Sequence, residues 1–335
     1  MKSHYIIPVF IPESACPNRC IYCNQRFISG AVKAPDAYET RGIIEKHLQT
    51  IPSSATQIEV GFFGGNFTGI PFHQQKQYLQ IADEYYQQKK IHSIRLSTRP
   101  DYIDEERLSL LKEYHVQTIE LGAQSLDDEV LIKCGRGHTA KEIIDASALI
   151  KLFGFSLGLQ MMVGLPGDTP EKNYFTAKKI IELGADNTRI YPLLVIKGTE
   201  LEKMFIRGEY LPLTTSEAVE QAKKVYLLFE NAGVNILRVG LHPSEGLING
   251  ENLVAGPFHV SFRELVITSI WRDLLMPYMK SSGKSGIRVS VSAEEYNFAI
   301  GYDAANKKQL QKIYKKVYFV RDEKLKQRNF HVDFY

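Results

Sequence analysis

Three cysteines near the amino end of the chain have a spacing that could hold an iron–sulfur cluster. Cys16, Cys20 and Cys23 are separated by three and two residues. Thiolates spaced in this way can bind three irons of one cube and leave the fourth iron without a protein ligand. The remaining cysteine, Cys134, lies far along the chain, so no fourth cysteine ligand is evident. The spacing therefore predicts a cluster with one open iron.

The same cysteines leave a structural zinc site as an alternative. Zinc usually takes four ligands in a tetrahedral arrangement, and the flanking sequence offers only His4 and the distant His47. A disulfide is less compatible with the pattern, because pairing two of these cysteines strands the third. The residues alone favour iron and sulfide over zinc without excluding zinc.

Composition predicts a folded cytoplasmic protein. The chain has 335 residues, of which 44% are hydrophobic, and this is enough to bury a large core. It contains no apolar run that could span a bilayer, and residues 1–8 lack the apolar stretch of a signal peptide. The net charge of +3 is too small to indicate nucleic-acid binding by itself.

Short apolar runs alternate with amphipathic windows along most of the chain. The predicted strands are Tyr5–Ile11, Gln57–Phe63, Ser93–Ser97, Gln117–Leu121, Ser156–Met162, Thr188–Leu193 and Asn235–Val239. The predicted helices are Pro71–Gln88, Asp104–Tyr114, Thr139–Phe153, Pro170–Leu183 and Thr215–Ala232. This repeat is typical of an α/β fold with a parallel sheet, either a closed or partial barrel or a doubly wound sheet.

The placement of unusual residues favours the barrel. Glycine-rich or polar clusters follow the predicted strands, and the loops after barrel strands build the active sites of barrel enzymes. These clusters are Cys16–Cys23, Gly64–Thr68, Thr98–Asp101, Gly122–Ser125, Gly164–Asp168 and, within the sixth strand, Arg189–Pro192. We expect them to converge on one face.

These motifs resemble the radical S-adenosylmethionine (SAM) superfamily. Within it, five ordered segments are similar to the radical domain of the Elongator catalytic subunit, and the oxygen-independent coproporphyrinogen oxidases are a more distant likeness. The segments are Gly64–Thr68, Ser97–Tyr102, Ile119–Ser125, Arg136–Thr139 and Ile190–Thr199. The resemblance runs from about Tyr5 to Leu241 and implies the partial (β/α)6-type parallel barrel of radical SAM enzymes.

The resemblance implies a 4Fe-4S cluster on Cys16, Cys20 and Cys23, with SAM on the open iron. An electron from a flavodoxin-type or ferredoxin-type donor would cleave SAM to a 5′-deoxyadenosyl radical that abstracts hydrogen from a substrate. RNA, and transfer RNA (tRNA) in particular, is the leading substrate candidate. A small molecule such as a tetrapyrrole is an alternative, as is a non-catalytic cluster or haem carrier that keeps only the fold.

The resemblance also assigns side chains to SAM. Gly64 and Gly65 would approach its amine, Tyr22 would pack on the adenine, Gln124 would bind the ribose, and Arg136 would pair with the carboxylate. The full set of expected cofactor contacts is Tyr22, Gly64, Gly65, Asn66, Ser97, Gln124, Arg136, Gln160 and Arg189. Asp168 is a second-tier candidate, as is Arg189 within that set.

Two positions depart from the family patterns. Ser97 stands where the Elongator pattern has a glutamate, and Gln160 stands where the coproporphyrinogen oxidases carry an acidic residue. Gln160 could still accept a hydrogen bond from a ribose hydroxyl. Glu120 lies among apolar neighbours and needs a partner, for which we expect Arg99 or Arg95.

The chain is predicted to have three parts: a core barrel at 1–241, a lid or helical extension at 242–280, and a small basic α+β appendage at 281–335. We expect no counterpart of the Elongator acetyltransferase domain in residues 242–335. His242 and His259 could face the site, although a structural role is expected for each.

Residues 281–286 are predicted to be a linker, followed by strand, helix and strand. The appendage carries a run of basic residues interleaved with Tyr302, Tyr314, Tyr318 and Phe319; the basic residues are Lys307, Lys308, Lys312, Lys315, Lys316, Arg321, Lys324, Lys326 and Arg328. It is either a solvated helix face or a surface on which bases stack.

Overall fold

The computed structural model describes residues 4–12, 16, 20–30, 33–280 and 283–335. Its strands are β1 (His4–Ile11), β2 (Gln57–Gly64), β3 (Ser93–Thr98), β4 (Val116–Gln124), β5 (Ser156–Val163), β6 (Asn187–Pro192), β7 (Val195–Ile196), β8 (Asn235–Val239), β9 (Leu253–Ala255), β10 (Gly286–Val291), β11 (Lys316–Arg321) and β12 (Phe330–Phe334). Across these ranges, no helix is long and apolar enough to cross a membrane.

The helices are α1 (Gln25–Ser29), α2 (Ala37–Thr50), α3 (Phe72–Gln87), α4 (Glu105–Glu113), α5 (Asp128–Lys133), α6 (Ala140–Leu152), α7 (Pro170–Glu182), α8 (Glu200–Ile206), α9 (Thr215–Asn231), α10 (Glu245–Ile248), α11 (Phe262–Leu275), α12 (Tyr296–Ile300) and α13 (Ala305–Gln311). Helix starts follow ordinary capping chemistry. Thr139 and Thr214 form capping boxes at α6 and α9, and Thr169 caps α7 just before Pro170.

Seven parallel strands form one curled sheet in the order β1-β2-β3-β4-β5-β6-β8. Each crossover places a helix on the outer face, as parallel strand connections require. The sheet is an open half-barrel with β1 and β8 at its edges, and this confirms the predicted α/β partial barrel. Because all strands run the same way, their carboxyl ends lie along one rim.

The two faces of the sheet differ in chemistry. On β2, Val60 and Phe62 pack into the helix layer, whereas Glu59 lies on the opposite face with Arg95 of β3. Side chains alternate along a strand, so charged and apolar residues are sorted onto opposite faces. The concave face of the half-barrel is therefore polar and the convex face is the core.

The carboxyl-terminal part forms a separate three-stranded sheet of order β11-β10-β12. Its inner face packs on α11, where Trp271 is fully buried and meets Phe330 edge-on. The predicted strand, helix and strand are present, but a third strand, β12, was not expected. Gly286, assigned to the linker, already belongs to β10, and residues 281–282 lie outside the described residues. The division of the chain at 241 and 280 stays a prediction.

Candidate active site at the carboxyl rim

The cysteine segment follows β1 and is anchored to loops at the rim. The amide of Cys23 donates to the Cys20 carbonyl at 2.9 Å, which closes a tight turn. Within this turn the amide of Ile21 donates to the Cys134 carbonyl at 3.1 Å, and the amide of Leu201 donates to the Ile21 carbonyl at 2.8 Å. These two bonds fix the turn to the carboxyl end of α5 and to α8. None of the four cysteines forms a disulfide with another described residue.

Arg136 is the side chain that ties this turn to the barrel. Its Nη1 donates to the Sγ of Cys20 at 3.0 Å, its Nη2 donates to the Gly122 carbonyl and its Nε donates to Nε2 of His138 at 3.2 Å. The residue is only 6% exposed. Each nitrogen of the guanidinium is thus bonded to the protein. The predicted pairing of Arg136 with the SAM carboxylate stays a prediction.

Three buried polar atoms around Arg136 have no hydrogen-bond partner among the described residues. They are Oη of Tyr22, Nη1 of Arg99 and Nδ1 of His138. Because Nε2 of His138 accepts from Arg136, the neutral ring carries its proton on Nδ1 and offers an unmet donor. Buried polar atoms are nearly always satisfied, so this group indicates a place where a bound partner completes the site.

Burial and charge set the protonation of these groups. Burial raises the pKa of Tyr22 well above its usual value, the Arg136 charge opposes this, and the neighbouring cysteines add to it. Burial, together with the positive charges of Arg136 and Arg99, lowers the pKa of His138 to about 3. Near neutral pH the phenol and the imidazole are therefore both uncharged.

His138 and Arg99 were not singled out as site residues, although both lie in motifs that carry the family resemblance. Arg99 donates from Nη2 to the Arg136 carbonyl at 2.7 Å and is held by two bonds to Asp101. Gly137 adopts a φ of 71°, and this turn folds His138 back onto Arg136. The sequence Arg136-Gly137-His138 could have predicted this contact, because a glycine between the two residues allows the turn that joins them.

Gly64 and Gly65 pack against the end of β1. Gly64 has a φ of 121°, and a Cβ there would lie 2.0 Å from the carbonyl oxygen of Ile11. The amide of Gly65 donates to the same oxygen at 3.2 Å. The backbone at the end of β1, just before the cysteine segment, comes so close that position 64 requires a glycine even without SAM. The predicted contact of both glycines with SAM stays a prediction.

Asn66 is buried in the joint between β2 and β3. Its Oδ1 accepts from the Thr98 hydroxyl at 2.6 Å and from the amide of Arg99 at 3.4 Å. These bonds orient the loop that carries Arg99 toward Arg136. The structure therefore gives Asn66 a positioning role at the rim, and its contact with SAM stays a prediction.

Gln124 and Gln160 meet on the concave face. Nε2 of Gln160 donates to Oε1 of Gln124 at 3.0 Å. Gln124 has a φ of 67°, unusual for a residue with a side chain, and it follows a register shift between β4 and β5. Such irregularities re-aim side chains next to active sites. The predicted pair of ribose contacts thus lies together.

Ser97 is half-buried on β3 and pairs in register with Glu120 of β4. The carboxylate of Glu120 is bonded to two arginines and not to Ser97. Oε1 of Glu120 accepts from Arg95 at 2.8 Å, and its Oε2 accepts from Nε of Arg189 at 2.5 Å. The expected partner Arg95 is confirmed and Arg99 is wrong, because Arg99 is turned toward Asp101.

The Glu120 pair belongs to a chain of charges across the floor of the half-barrel. His4 and Arg95 both contact Glu59, at 2.7 and 2.8 Å. Arg95 also binds Glu120, and Glu120 in turn binds Arg189. Burial favours the neutral acids, but the arginines outweigh it and hold the pKa of Glu59 and of Glu120 below the usual value. Arg189 is bonded to Glu120 in this floor, and its predicted contact with SAM stays a prediction.

Asp168 lies in the loop after β5. Burial raises its pKa to about 7, although the amides of Thr169 and Gly164 donate to the carboxylate at 2.9 and 3.3 Å. The Tyr210 hydroxyl closes the same loop on the Gly164 carbonyl at 2.7 Å. Asp168 is thus held by its own loop, and its role at the site stays a prediction.

The segment predicted as a lid packs on the helix that follows the cysteines. Ser244 and Asn252 donate to the Phe27 carbonyl at 3.3 and 3.5 Å, and β9 pairs with β7. His259 accepts from the Ser261 amide at 3.0 Å and lies edge-on to Tyr302, so it has the structural role expected. His242 is exposed.

The donor set fits an iron–sulfur cluster better than zinc. The three cysteines of the motif form no disulfide, a cationic guanidinium contacts the sulfur of Cys20, and three buried polar atoms nearby lack partners among the described residues. His4, the nearest histidine in sequence, is bonded to Glu59. Among the described side chains no three Cys, His, Asp or Glu are grouped closely enough to hold a metal ion, so the cysteines as a ligand set stay a prediction.

The fold and the site define an α/β half-barrel protein with a thiol-bearing site at the carboxyl rim. Residues 11–180 match the model of the radical SAM superfamily, and residues 185–272 match that of the radical SAM C-terminal domain. The first match spans half of the chain, and the chain belongs to the radical SAM superfamily, a superfamily of enzymes.

Two known proteins with similar sequences are longer than this chain. A tRNA uridine(34) acetyltransferase of Methanocaldococcus infernus is 27% identical over 255 residues, covering 64% of this chain and 48% of that protein. Elongator complex protein 3 of Saccharomyces cerevisiae is 28% identical over 214 residues, covering 58% and 38%. The matched region thus spans about half, or less, of the length of these relatives.

Solved structures share the fold. The archaeal Elp3 of Methanocaldococcus infernus, lacking its amino-terminal 46 residues, superposes with a TM-score of 0.64 at 24% identity, covering 82% of this chain and 64% of that chain. Coproporphyrinogen III oxidase of Escherichia coli gives a TM-score of 0.50 at 18% identity, covering 69% and 54%.

Proposed function

We propose that this protein is a radical SAM enzyme whose Cys16, Cys20 and Cys23 hold a 4Fe-4S cluster, with SAM bound at the rim of the half-barrel. When bound, these groups supply a one-electron reductive cleavage of SAM to methionine and a 5′-deoxyadenosyl radical, which takes hydrogen from a substrate. The observation that carries the proposal is the hydrogen bond from Arg136 to the Cys20 sulfur at the rim.

The residues of this chain would orient and protect that chemistry. The Arg136 cation complements the negative charge of cluster thiolates, and its bond to Gly122 fixes it to the end of β4. Tyr22, Leu193 and Leu201 belong to a buried apolar cluster around Cys20 that excludes water. The unmet donor of His138 is available to a bound group.

RNA, with tRNA foremost, is the proposed substrate. Two observations support this class: relatives carry the name tRNA uridine(34) acetyltransferase, and residues 281–335 contain eleven Lys and Arg against six Asp and Glu. The electron is proposed to come from a flavodoxin-type or ferredoxin-type donor. The part of the chemistry proposed for this chain is hydrogen abstraction.

Anaerobic reconstitution with iron and sulfide tests the radical chemistry. With dithionite and SAM, we expect the wild type to release 5′-deoxyadenosine, detected by mass spectrometry. Changing Cys16, Cys20 or Cys23 to alanine should abolish both product and cluster absorption. Cys134→Ala is the matched control, since Cys134 is also buried beside the site but lies outside the motif. Bound zinc in place of iron and sulfide, or product that persists without the three cysteines, would refute the proposal.

A nucleoside comparison tests the substrate class. We expect tRNA from cells lacking this protein to lose or accumulate a modified nucleoside, and a gene copy carrying Cys20→Ala to fail to restore it. An unchanged nucleoside profile from a strain whose purified enzyme still cleaves SAM would overturn the RNA assignment and point to a small-molecule substrate.

A further inference from the structure

The outer face of the three-stranded sheet carries two exposed aromatic rings among basic residues. Tyr318 of β11 is 53% exposed and Tyr335, which follows β12, is 44% exposed. Their ring centroids lie 6.4 Å apart with an interplanar angle of 25°. Large aromatic surfaces left in water on one face of a sheet need a reason, because burial is their usual state.

The sheet register gathers the charged side chains around these rings. Arg288 of β10 pairs with Tyr318 on one side and with Asp333 on the other, and Lys316 lies two residues before Tyr318 on the same face. Arg288 and Lys316 are both exposed. Asp333 stands opposite Arg288 on the β12 side, so the positive charge around the rings is strongest toward Lys316 and extends to Arg288.

A glycine makes room for one ring to lie on the sheet. A Cβ at Gly286 would come within 2.5 Å of the Tyr335 ring, so this ring packs directly over the β10 backbone. The backbone of Tyr335 is fixed there, because the amides of Gly286 and Ser285 donate to its carbonyl at 2.9 and 3.1 Å. Tyr335 is thereby held against the sheet while it remains partly exposed to solvent.

The structure divides the basic, aromatic run seen in the sequence. Tyr314 and Phe319 are buried in the core of this sheet, and Arg328 is bonded to Glu230. Of the basic residues, only Lys307 and Lys308 lie within α13. The run is therefore not one solvated helix face, and its exposed aromatic component is Tyr318, joined by Tyr335 and by Tyr302 at its start.

We propose that the Tyr318–Tyr335 face is a platform that binds a single-stranded segment of RNA, with bases on the two rings and phosphates at Lys316 and Arg288. This inference rests on RNA being the substrate and adds the place where RNA docks. Aromatic rings on a sheet stack bases whatever their sequence, and adjacent basic side chains neutralise the backbone. Charge complementarity supports this occupant, since residues 281–335 carry a net +5 whereas the chain as a whole carries +3.

Fluorescence anisotropy with a labelled single-stranded oligouridine tests the platform. We expect the double variant Tyr318→Ala with Tyr335→Ala to weaken binding about tenfold or more. Tyr318→Phe should retain binding, because stacking needs the ring and not the hydroxyl. Tyr38→Ala is the matched control, since Tyr38 is 87% exposed on α2 of the barrel. Lys316→Ala with Arg288→Ala should reduce the salt dependence of log K by roughly 0.7 per lost phosphate contact.

The outcomes separate the platform from the proposed function. All variants should cleave SAM without RNA as the wild type does, because the changed residues lie on the separate sheet. Equal RNA binding by wild type and the double tyrosine variant would overturn the platform while leaving the chemistry intact. Failure of the wild type to bind the oligonucleotide at low salt, with SAM cleavage intact, would also overturn it. A reconstituted wild-type protein that does not cleave SAM would instead refute the proposed function.

Discussion

The guanidinium of Arg136 donates a hydrogen bond to the sulfur of Cys20 at 3.0 Å, across 116 residues of sequence. This bond joins the loop after β1 to the loop between α5 and α6. It places a permanent cation beside a thiol of the predicted cluster motif, in an environment where both are almost fully buried. Low polarity strengthens such a contact relative to the same contact in water.

Removing Arg136 should impair the site more than the fold. We expect Arg136→Ala to lower the rate of 5′-deoxyadenosine formation about 100-fold or more, since a positioned donor in a water-excluded site has effects of this size. Arg136→Lys keeps the positive charge but loses the three nitrogen donors of the guanidinium, so its rate should lie between those of the wild type and Arg136→Ala. Arg41→Ala, at a half-exposed arginine paired with Glu84, is the control. Product formation and cluster content are measured together. An Arg136→Ala enzyme with wild-type rate would contradict this reading.

Two glycine substitutions should have opposite effects. Gly64→Ala forces a Cβ to within 2.0 Å of the Ile11 carbonyl at a φ of 121°, so we expect loss of stability by several kcal/mol, about 2–4, and displacement of the cysteine segment. Gly42→Ala, inside α2 with nothing within 4 Å of the added Cβ, should stabilise by up to about 1 kcal/mol. Urea unfolding monitored by circular dichroism measures both. Equal midpoints for the two variants would contradict the structural explanation of Gly64.

Breaking the buried charge chain should be costly. Glu120→Gln leaves Arg95 and Arg189 without their shared carboxylate inside the half-barrel, and we expect a loss of about 3–5 kcal/mol. Asp145→Asn, which breaks the exposed pair with Lys141, should change stability by less than about 1 kcal/mol. Chemical denaturation of both variants at neutral pH gives the comparison. If both variants lost less than about 1 kcal/mol of stability, the Glu120 carboxylate would not be needed to compensate the charges of Arg95 and Arg189.

Asp168 should impose a pH dependence on stability. Its folded-state pKa of about 7 lies above the usual carboxyl value, so between roughly pH 4 and 7 the folded state binds more protons than the unfolded state. Stability therefore falls as pH rises through this window and levels off above it. Asp168→Asn should remove this component and be more stable than wild type at pH 8, by on the order of 1–3 kcal/mol. Parallel curves for the two proteins from pH 4 to 8 would disprove the assignment.

Much of the fold could be predicted from local pattern. The seven strands of the half-barrel lie within three residues of their predicted limits, because a strand buried on its outer face has an apolar sequence that stands out against the helices. Helices α1 and α10, of five and four residues, were not predicted, and neither were α2, α5 and α8. Helices α5 and α8 are also short, with six and seven residues, and α2 carries exposed residues such as Tyr38, so each of these helices lacks a strong apolar stripe.

The sequence alone determined the barrel class, the cysteine motif and the loops that meet at the rim, because these depend on residue type, spacing and the alternation of strand and helix. The tertiary structure decided which groups touch. Glu120 pairs with Arg95 and Arg189 and not with Arg99, Gly64 meets the β1 backbone, and Tyr318 faces water while Phe319 is buried. The physical reason is that such contacts follow from sheet register and loop geometry, which bring together residues far apart in the chain.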